Sequence, residues 1–165
     1  MYNIIKDWLP EDLNKFLLRK LLYYTPHMFG HTSHKDDLRN QFYQYQFTDD
    51  TLMTYLCNKL HNDAFKENNI EILRVYINVQ HQGMIGDFHI DEGTHTALYF
   101  PCETNFDSGQ FEIKDMNGQL EVIPYKQNQL VIFNANYLHR GMPFNNFKPR
   151  ITLAFKIINR DLKKK

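Results

Sequence analysis

The sequence predicts a mainly β protein, a double-sheet jelly roll with helices packed on the outside. The 165 residues include 13 Phe and 10 Tyr, a composition that favours half-buried strands. Two stretches before residue 70 space their apolar residues as amphipathic helices do. After residue 70, short β-forming runs follow one another, each bounded by Gly, Asn, Asp or Pro.

The two helices are predicted in the first part of the chain. Residues 10–24 carry apolar side chains at helical spacing, and Pro26 ends the element. The second helix is predicted in TDDTLMTYLCNKLHNDAF, with Asp49 as its N-terminal cap. Between them, residues 26–41 are polar and predict a loop or short helix, and residues 42–47 predict a short strand.

Eight strands are predicted from residue 70 onward. In ILRVYINVQ, the apolar residues Val75, Ile77 and Val79 alternate with polar ones, which is typical of a strand with one buried face. The other predicted strands are DFHI, TALYFP, GQFEIKD, LEVIPYK, QLVIFNA, LHRGMPF and RITLAFKII. We therefore expect one domain over residues 1–165, with a helical N-terminal support region (1–69), a jelly-roll catalytic core (70–158) and a basic tail (159–165).

The charge and composition argue against several classes of partner. The formal net charge is zero, so no nucleic-acid partner is expected. No run approaches the roughly 18–20 apolar residues of a membrane span, and the N-terminus lacks the features of a signal peptide. The two cysteines, Cys57 and Cys102, make no disulfide framework, which favours a cytoplasmic location. The oligomeric state stays open.

Three His-x-Asp triplets occur, at residues 34–36, 61–63 and 89–91. The first lies in a charged, irregular segment, where a solvated role is expected. The second lies on the predicted second helix, where residues two apart point about 200° away from each other. Only the third is predicted on a strand, where His89 and Asp91 would face the same side. This triplet is therefore the candidate for a metal site.

A third ligand is expected from a neighbouring strand. Two imidazoles and one carboxylate form the facial set of non-haem iron(II) sites. His139 follows an apolar strand and is the preferred candidate. His95 competes for this role, but the chain has to turn away between Asp91 and the next strand, so we favour His139.

Arg150 adds a possible anion site. Arg150 and Thr152 share one face of the last predicted strand, and Ile151 and Leu153 share the other. A guanidinium inside a barrel is costly unless it meets an anion, and its planar fork suits a carboxylate. Thr152 could add a hydroxyl. The anion need not belong to the protein, and a dicarboxylate cosubstrate would serve.

The ordered set His89-x-Asp91, His139 and Arg150-x-Thr152 resembles the iron(II)/2-oxoglutarate-dependent dioxygenases. Within them the chain is similar to the prolyl-4-hydroxylase-like branch, including its small phage-type members. The likeness covers roughly residues 70–158, from the strand and glycine loop before the iron motif to the basic residue that binds 2-oxoglutarate. In DSGQFEIKD, Ser108 stands where the branch often has a glycine.

The resemblance implies a double-stranded β-helix fold and a role for each matching residue. His89, Asp91 and His139 would hold Fe(II). The 2-oxoglutarate site would be formed by Arg150, Tyr99 and Thr152. Tyr76 and Asn78 would line the pocket as well, in contact with the cosubstrate or with the substrate. The implied reaction consumes O2 and 2-oxoglutarate, gives succinate and CO2, and hydroxylates a prolyl or other amino-acid residue of a peptide or protein, or a small molecule. Ascorbate is the expected reductant.

Two other functions fit parts of the pattern. A cupin-like metalloenzyme without 2-oxoglutarate would more often use two histidines close together, a glutamate and a third histidine, and would not need Arg150. A metal-free jelly-roll binding module would leave the inward positions of His89, Asp91 and Arg150 without a purpose.

Overall fold

The computed structural model describes residues 2–33, 40–104 and 107–164, which form ten strands, two α-helices and a terminal 3-10 turn. The elements are β1 (Tyr2–Ile5), α1 (Glu11–Tyr23), β2 (Met28–His31), β3 (Phe42–Phe47), α2 (Thr51–Ala64), β4 (Ile70–Gln80), β5 (His95–Phe100), β6 (Phe111–Lys114), β7 (Leu120–Ile123), β8 (Gln129–Asn134), β9 (Leu138–Gly141), β10 (Arg150–Asn159) and the turn Arg160–Lys164. Of the three His-x-Asp triplets, the one at residues 34–36 lies outside the described residues.

The strands form two antiparallel sheets. The larger has the order β1-β8-β5-β10-β4-β3-β2, and the smaller has the order β7-β6-β9. The helices add Leu17, Leu21, Leu56 and Leu60 to the same hydrophobic core as the large sheet, and all four are fully buried. The predicted two-sheet architecture with accompanying helices is therefore what the chain forms.

Strand β10 is central to the large sheet. It pairs with β4 along its whole length and with β5 over Leu153–Ile157. Alternation along β10 sends Leu153 and Phe155 to the face that contains the ring of Trp8, which packs against Phe155 at 6.1 Å. Arg150, Thr152 and Lys156 therefore face the other side, where they line a pocket.

The first 69 residues are less helical than predicted. Besides the expected β3, the described part of this region contributes β1, which pairs with β8, and β2, which pairs with β3. The prediction of a loop or short helix for residues 26–41 is thus wrong for Met28–His31. At the other end, Arg160 does not begin a free tail, because its backbone N–H bonds to Asn69 and its side chain pairs with Glu71.

The DFHI segment is not a strand. Only His89 forms a β-bridge, with His139, although the predicted closeness of His89 and Asp91 is retained. The expected turn after Asp91 is present, and Gly93 makes it possible with φ +92°. A Cβ there would lie 2.5 Å from the Ile157 carbonyl oxygen, so the turn requires glycine.

Cys57 and Cys102 are free thiols. Within the described ranges, no helix has the length and apolar character needed to cross a membrane.

The cap of α2 is Asp50, and the prediction of Asp49 is wrong. The Asp50 carboxylate accepts hydrogen bonds from the backbone N–H groups of Leu52 and Met53 at 3.0 and 3.1 Å. It also pairs with Lys20 of α1 at 2.8 Å. Asp49 instead adopts φ +52°, in the left-handed region.

Replacing Asp50 with alanine should lower the free energy of unfolding by about 1–2 kcal/mol, since two N–H groups of the first turn lose their acceptor. Asp50→Asn keeps a capping oxygen and should lose less than half of that, as measured by urea unfolding. An equal loss in both variants would assign the stabilisation to the Lys20 ion pair rather than to the cap.

Candidate functional site

The side chains of His89, Asp91 and His139 converge. One ligand atom from each lies within 4.8 Å of the others. The Nε2 atom of His139 is 3.1 Å from Asp91 Oδ2, and that of His89 is 3.6 Å from Asp91 Oδ1. The backbones of the two histidines exchange a pair of hydrogen bonds, which holds their rings side by side at 4.4 Å. This is an arrangement that could hold a metal ion.

Both imidazoles are oriented by their other nitrogen. The Nδ1 atom of His89 lies 2.9 Å from the Asp87 carbonyl oxygen, and that of His139 lies 2.8 Å from the Tyr137 carbonyl oxygen. Because a carbonyl can only accept a hydrogen bond, Nδ1 carries the proton in each ring and Nε2 is left to bind a metal. Burial, with a smaller effect from His139, lowers the pKa of His89 to about 4 and keeps this ring neutral.

Asp91 is ionised and firmly held. Burial raises the pKa of Asp91, but His139 and Lys156 lower it by more, so this pKa lies well below its ordinary value. Its Oδ2 atom accepts a hydrogen bond from Thr96 at 2.7 Å and pairs with the ammonium of Lys156. Its Oδ1 atom faces His89. One carboxylate oxygen is thus engaged by the protein and the other faces an imidazole.

Lys156 is a member of the site that the sequence analysis missed. Its side chain is 1% exposed, and its ammonium also lies 5.4 Å from the Tyr76 ring centroid. Strand alternation from Arg150 through Thr152 would have placed Lys156 on the same face, so the signal was present.

Arg150 is a buried cation that has no counter-ion among the described residues. It is 2% exposed, and no described carboxylate forms an ion pair with it. Its Nε atom donates to the Gly109 carbonyl at 2.8 Å, and Nη1 donates to Gln80 at 2.9 Å and Thr152 at 2.8 Å. The Nη2 atom is buried and has no hydrogen-bond partner. Burial lowers the pKa of Arg150 to about 10, so the group is still charged at neutral pH and can receive an anion.

The surroundings of Arg150 include residues that sequence reasoning did not identify. The guanidinium carbon lies 5.7 Å and 5.3 Å from the ring centroids of Phe100 and Tyr125. A Cβ at Gly141 would lie 2.7 Å from Nη1 and 2.9 Å from the Gln80 side-chain oxygen. Gly141 follows His139 by two residues in LHRG, and its missing side chain leaves the space that the guanidinium occupies.

One pocket joins the metal-ligand candidates to Arg150. It is lined by Ser33, Phe42, Tyr76, Asn78, Gln80, Gly86, His89, Leu98, Phe111, His139, Gly141, Arg150, Thr152 and Lys156. The structure therefore brings Tyr76, Asn78 and Thr152 to the same pocket as the predicted metal ligands His89 and His139. Asn78 is oriented by Gln44, whose amide donates to it at 3.1 Å.

Tyr99 is not in this pocket, and the prediction that it contacts the cosubstrate is wrong in geometry. Its ring is fully buried on the opposite face of the sheet, 5.2 Å from Trp8. Its hydroxyl lies 2.6 Å from the side-chain oxygen of Asn14 and 2.8 Å from that of Asn128. The register of β5 explains this. Leu98 faces the pocket, so the next residue, Tyr99, must face the opposite side of the sheet.

The other histidines considered do not join the group. His95 lies four residues before Tyr99 on β5 and therefore faces the same side of the sheet as Tyr99. Its ring packs against that of Phe65 at 5.6 Å. In the second triplet, Asp63 accepts a hydrogen bond from Trp8 Nε1 at 2.9 Å and pairs with Lys59. The structure brings His139, and not His95, to the pair formed by His89 and Asp91.

The fold is similar to solved structures of oxygenases. A prolyl hydroxylase from Trichoplax adhaerens, in complex with a hypoxia inducible factor peptide fragment, matches with a TM-score of 0.76 at 15% identity, over 99% of this chain and 86% of that one. A Pseudomonas putida prolyl-4-hydroxylase gives 0.67 at 14%, over 94% and 91%. HygX from Streptomyces hygroscopicus, with nickel and 2-oxoglutarate bound, gives 0.74 at 9%, over 96% and 82%.

The sequence matches no protein-family model and no curated protein sequence. At such identities the structural likeness shows the fold, and function has to be argued from the site. The expected double-stranded β-helix, of the kind found in prolyl-4-hydroxylases and other 2-oxoglutarate-Fe(II) oxygenases, is confirmed.

The burial of His89 should make the metal-free protein sensitive to acid. Between the ordinary pKa of 6.5 and about 4, the unfolded chain binds a proton at His89 that the native chain does not. Lowering the pH through this range therefore favours unfolding, and His89 should account for about 2 kcal/mol of the loss between pH 7 and pH 4.5.

We expect His89→Gln to remove this part of the pH dependence in urea unfolding with a metal chelator present. His81→Gln, at an exposed histidine, should leave the pH dependence as it is in the original chain. If the free energy of unfolding depends on pH in the same way in His89→Gln and in the original chain, His89 is not the source of the acid sensitivity.

Proposed function

We propose that this chain is an Fe(II)- and 2-oxoglutarate-dependent dioxygenase that hydroxylates a prolyl or other amino-acid residue of a peptide or protein. The observation that carries the proposal is the buried guanidinium of Arg150, whose Nη2 atom has no hydrogen-bond partner. It lies in the same pocket as the imidazoles of His89 and His139, which converge with the Asp91 carboxylate. The structurally similar proteins include prolyl hydroxylases, one of them in complex with a peptide, and an enzyme with 2-oxoglutarate bound.

The residues present fit a divalent iron site. His89, Asp91 and His139 offer two neutral imidazole nitrogens and one carboxylate oxygen, the donor set typical of non-haem Fe(II) oxygenases. Bound by three protein ligands, the ion would keep coordination positions free for other molecules. Bound iron would supply the redox chemistry that couples the decarboxylation of 2-oxoglutarate to succinate with insertion of an oxygen atom into a substrate C–H bond.

The chain's own residues would bind and orient the cosubstrate. Arg150 would receive the distal carboxylate through Nη2, while its other N–H groups are already fixed by Gly109, Gln80 and Thr152. Because the protein holds the guanidinium before any ligand arrives, little side-chain entropy would be lost on binding.

The rest of the pocket would position the reactants and exclude water. Leu98 and Phe111 are buried apolar lining residues, which strengthens electrostatic interactions within the pocket. Tyr76 and Asn78 would contact the cosubstrate or the primary substrate, and Thr152 would assist Arg150. A cupin-like enzyme without 2-oxoglutarate, or a metal-free binding module, would leave Arg150 Nη2 without a ligand.

The assay follows succinate formed from 2-oxoglutarate in the presence of Fe(II), O2, ascorbate and a library of proline-containing peptides. Asp91→Ala should abolish both metal binding and succinate formation. Arg150→Gln should keep metal binding and raise the KM for 2-oxoglutarate by about 10- to 100-fold, since a charge-assisted pair is lost. Arg19→Gln, at an exposed arginine of α1, is the control.

Full activity of Asp91→Ala, or an unchanged KM in Arg150→Gln, would refute the proposal. Peptides that gain the mass of one oxygen atom would identify the substrate. We also propose that the protein works in the reducing cytoplasm, since Cys57 and Cys102 are free thiols.

Gly141→Ala should impair 2-oxoglutarate binding without a change at the metal. Its Cβ would displace the Arg150 guanidinium, so the KM for 2-oxoglutarate should rise at least about 10-fold while Mn(II) affinity is retained. Gly86→Ala is the matched control, because a Cβ there lines the same pocket and meets nothing closer than 3.5 Å. Similar effects of the two substitutions would show that the space at Gly141 is not needed for Arg150.

A further inference from the structure

We propose that the primary substrate carries a carboxylate that is bound by Lys156, beside the metal ligands. This inference rests on the proposed function and narrows its substrate class. It starts from a charged residue that the proposed reaction does not use. Lys156 lines the same pocket as Arg150, His89 and His139, and its side chain is 1% exposed.

The contacts of Lys156 leave part of its ammonium group available. One strong partner is the Oδ2 atom of Asp91, and Thr96 Oγ1 lies 3.5 Å away, at the long limit of a hydrogen bond. An ammonium has three N–H donors. The face of the Tyr76 ring, 5.4 Å away, attracts the cation but provides no acceptor oxygen.

The charges of the loaded pocket do not balance. A divalent metal ion and the dianion of 2-oxoglutarate cancel each other. The protein then contributes the cations Arg150 and Lys156 against the single carboxylate of Asp91, a net charge of +1 in a buried place. Without Lys156 the sum would be zero. A buried uncompensated charge is costly, and a substrate carboxylate would remove it.

Neighbouring acidic residues are engaged elsewhere. Glu92 pairs with Arg74 at 2.6 Å, and Glu112 pairs with Arg140 at 2.7 Å. Among the described residues, Asp91 is the one carboxylate that pairs with Lys156.

His31, whose ring packs against the pocket residue Phe42, adds no charge at neutral pH. Burial, and then the cations of Arg74 and Lys156, lower its pKa from the ordinary value. Asp91 is therefore the described residue that forms an ion pair with Lys156, and a bound metal would share that carboxylate.

The substrate class follows from the position of Lys156. Its partner Asp91 is a candidate metal ligand, so the bound carboxylate would lie close to the carbon that is oxidised. The substrate would be a prolyl or other residue with either a terminal carboxylate or an adjacent acidic side chain. A neutral residue within an uncharged peptide would leave the charge of Lys156 without a partner.

The test uses Mn(II) as a paramagnetic probe in the protein saturated with 2-oxoglutarate without O2. Methanesulfonate and dimethyl sulfone have similar shapes, differ in charge, and coordinate metals weakly. We expect the methyl proton signal of methanesulfonate to be broadened at least 10-fold more than that of dimethyl sulfone. Equal broadening of the two would overturn the proposal and show that Lys156 serves Asp91 alone.

Lys156→Met should abolish the difference between the two probes, whereas Lys66→Met, at an exposed lysine, should keep it. Mn(II) and 2-oxoglutarate binding are measured first in every variant. If the original chain binds neither Mn(II) nor 2-oxoglutarate, the proposed function is refuted. If it binds both but broadens the two probe signals equally, only the present inference is refuted. If the Lys156→Met variant no longer binds Mn(II), the proposal is still tested by the original chain, through the difference in broadening between methanesulfonate and dimethyl sulfone.

Competition then separates the two sources of the carboxylate. N-acetylproline carries a terminal carboxylate, N-acetyl-aspartyl-prolinamide carries a side-chain carboxylate, and N-acetylprolinamide carries neither. The compound that reverses the methanesulfonate broadening identifies the source. Reversal by the neutral amide as well, or by none of the three, would contradict carboxylate recognition.

Discussion

The pairing of β10 with strands on both of its sides is the constraint on which the site depends. Because β4 and β5 fix the register of this strand, alternate residues must enter opposite environments. Leu153 and Phe155 pack into the core on one face. Arg150 and Lys156 are forced into the pocket on the other face, although both carry charges that would be more stable in water. The β-sheet thus holds two cations at fixed positions beside the candidate metal ligands.

The two buried cations are stabilised in different ways. Lys156 has the Asp91 carboxylate as a counter-ion, whereas the described partners of Arg150 are neutral acceptors and two aromatic rings. Neutral hydrogen bonds offset part of the desolvation of a guanidinium but do not cancel its charge. A bound dicarboxylate would therefore stabilise the native protein as well as take part in a reaction, and ligand binding and folding stability should be coupled.

Sequence reasoning recovered the features that depend on alternation and on the order of residues. Arg150 could be found because a strand places every second residue on one face, and His139 because it lies on the strand that follows β8. His89 and Asp91 were predicted on a strand that does not form, and their closeness is retained because His89 forms a β-bridge with His139. Tyr99 was misplaced because either Leu98 or Tyr99 could have faced the pocket. The pairing of β5 with β10, rather than the local sequence, determines that Leu98 does. The four-residue strands β1 and β2 are stabilised by distant partners and are too short to show a pattern of their own.

The proposed reaction requires that the pocket bring a metal on His89, Asp91 and His139 together with a dicarboxylate on Arg150. The most direct test is a crystal structure grown without O2 in the presence of Mn(II) and 2-oxoglutarate. We expect the metal on the Nε2 atoms of His89 and His139 and on Oδ1 of Asp91, with the distal carboxylate on Nη2 of Arg150. A metal bound elsewhere, or a 2-oxoglutarate that does not contact Arg150, would contradict it.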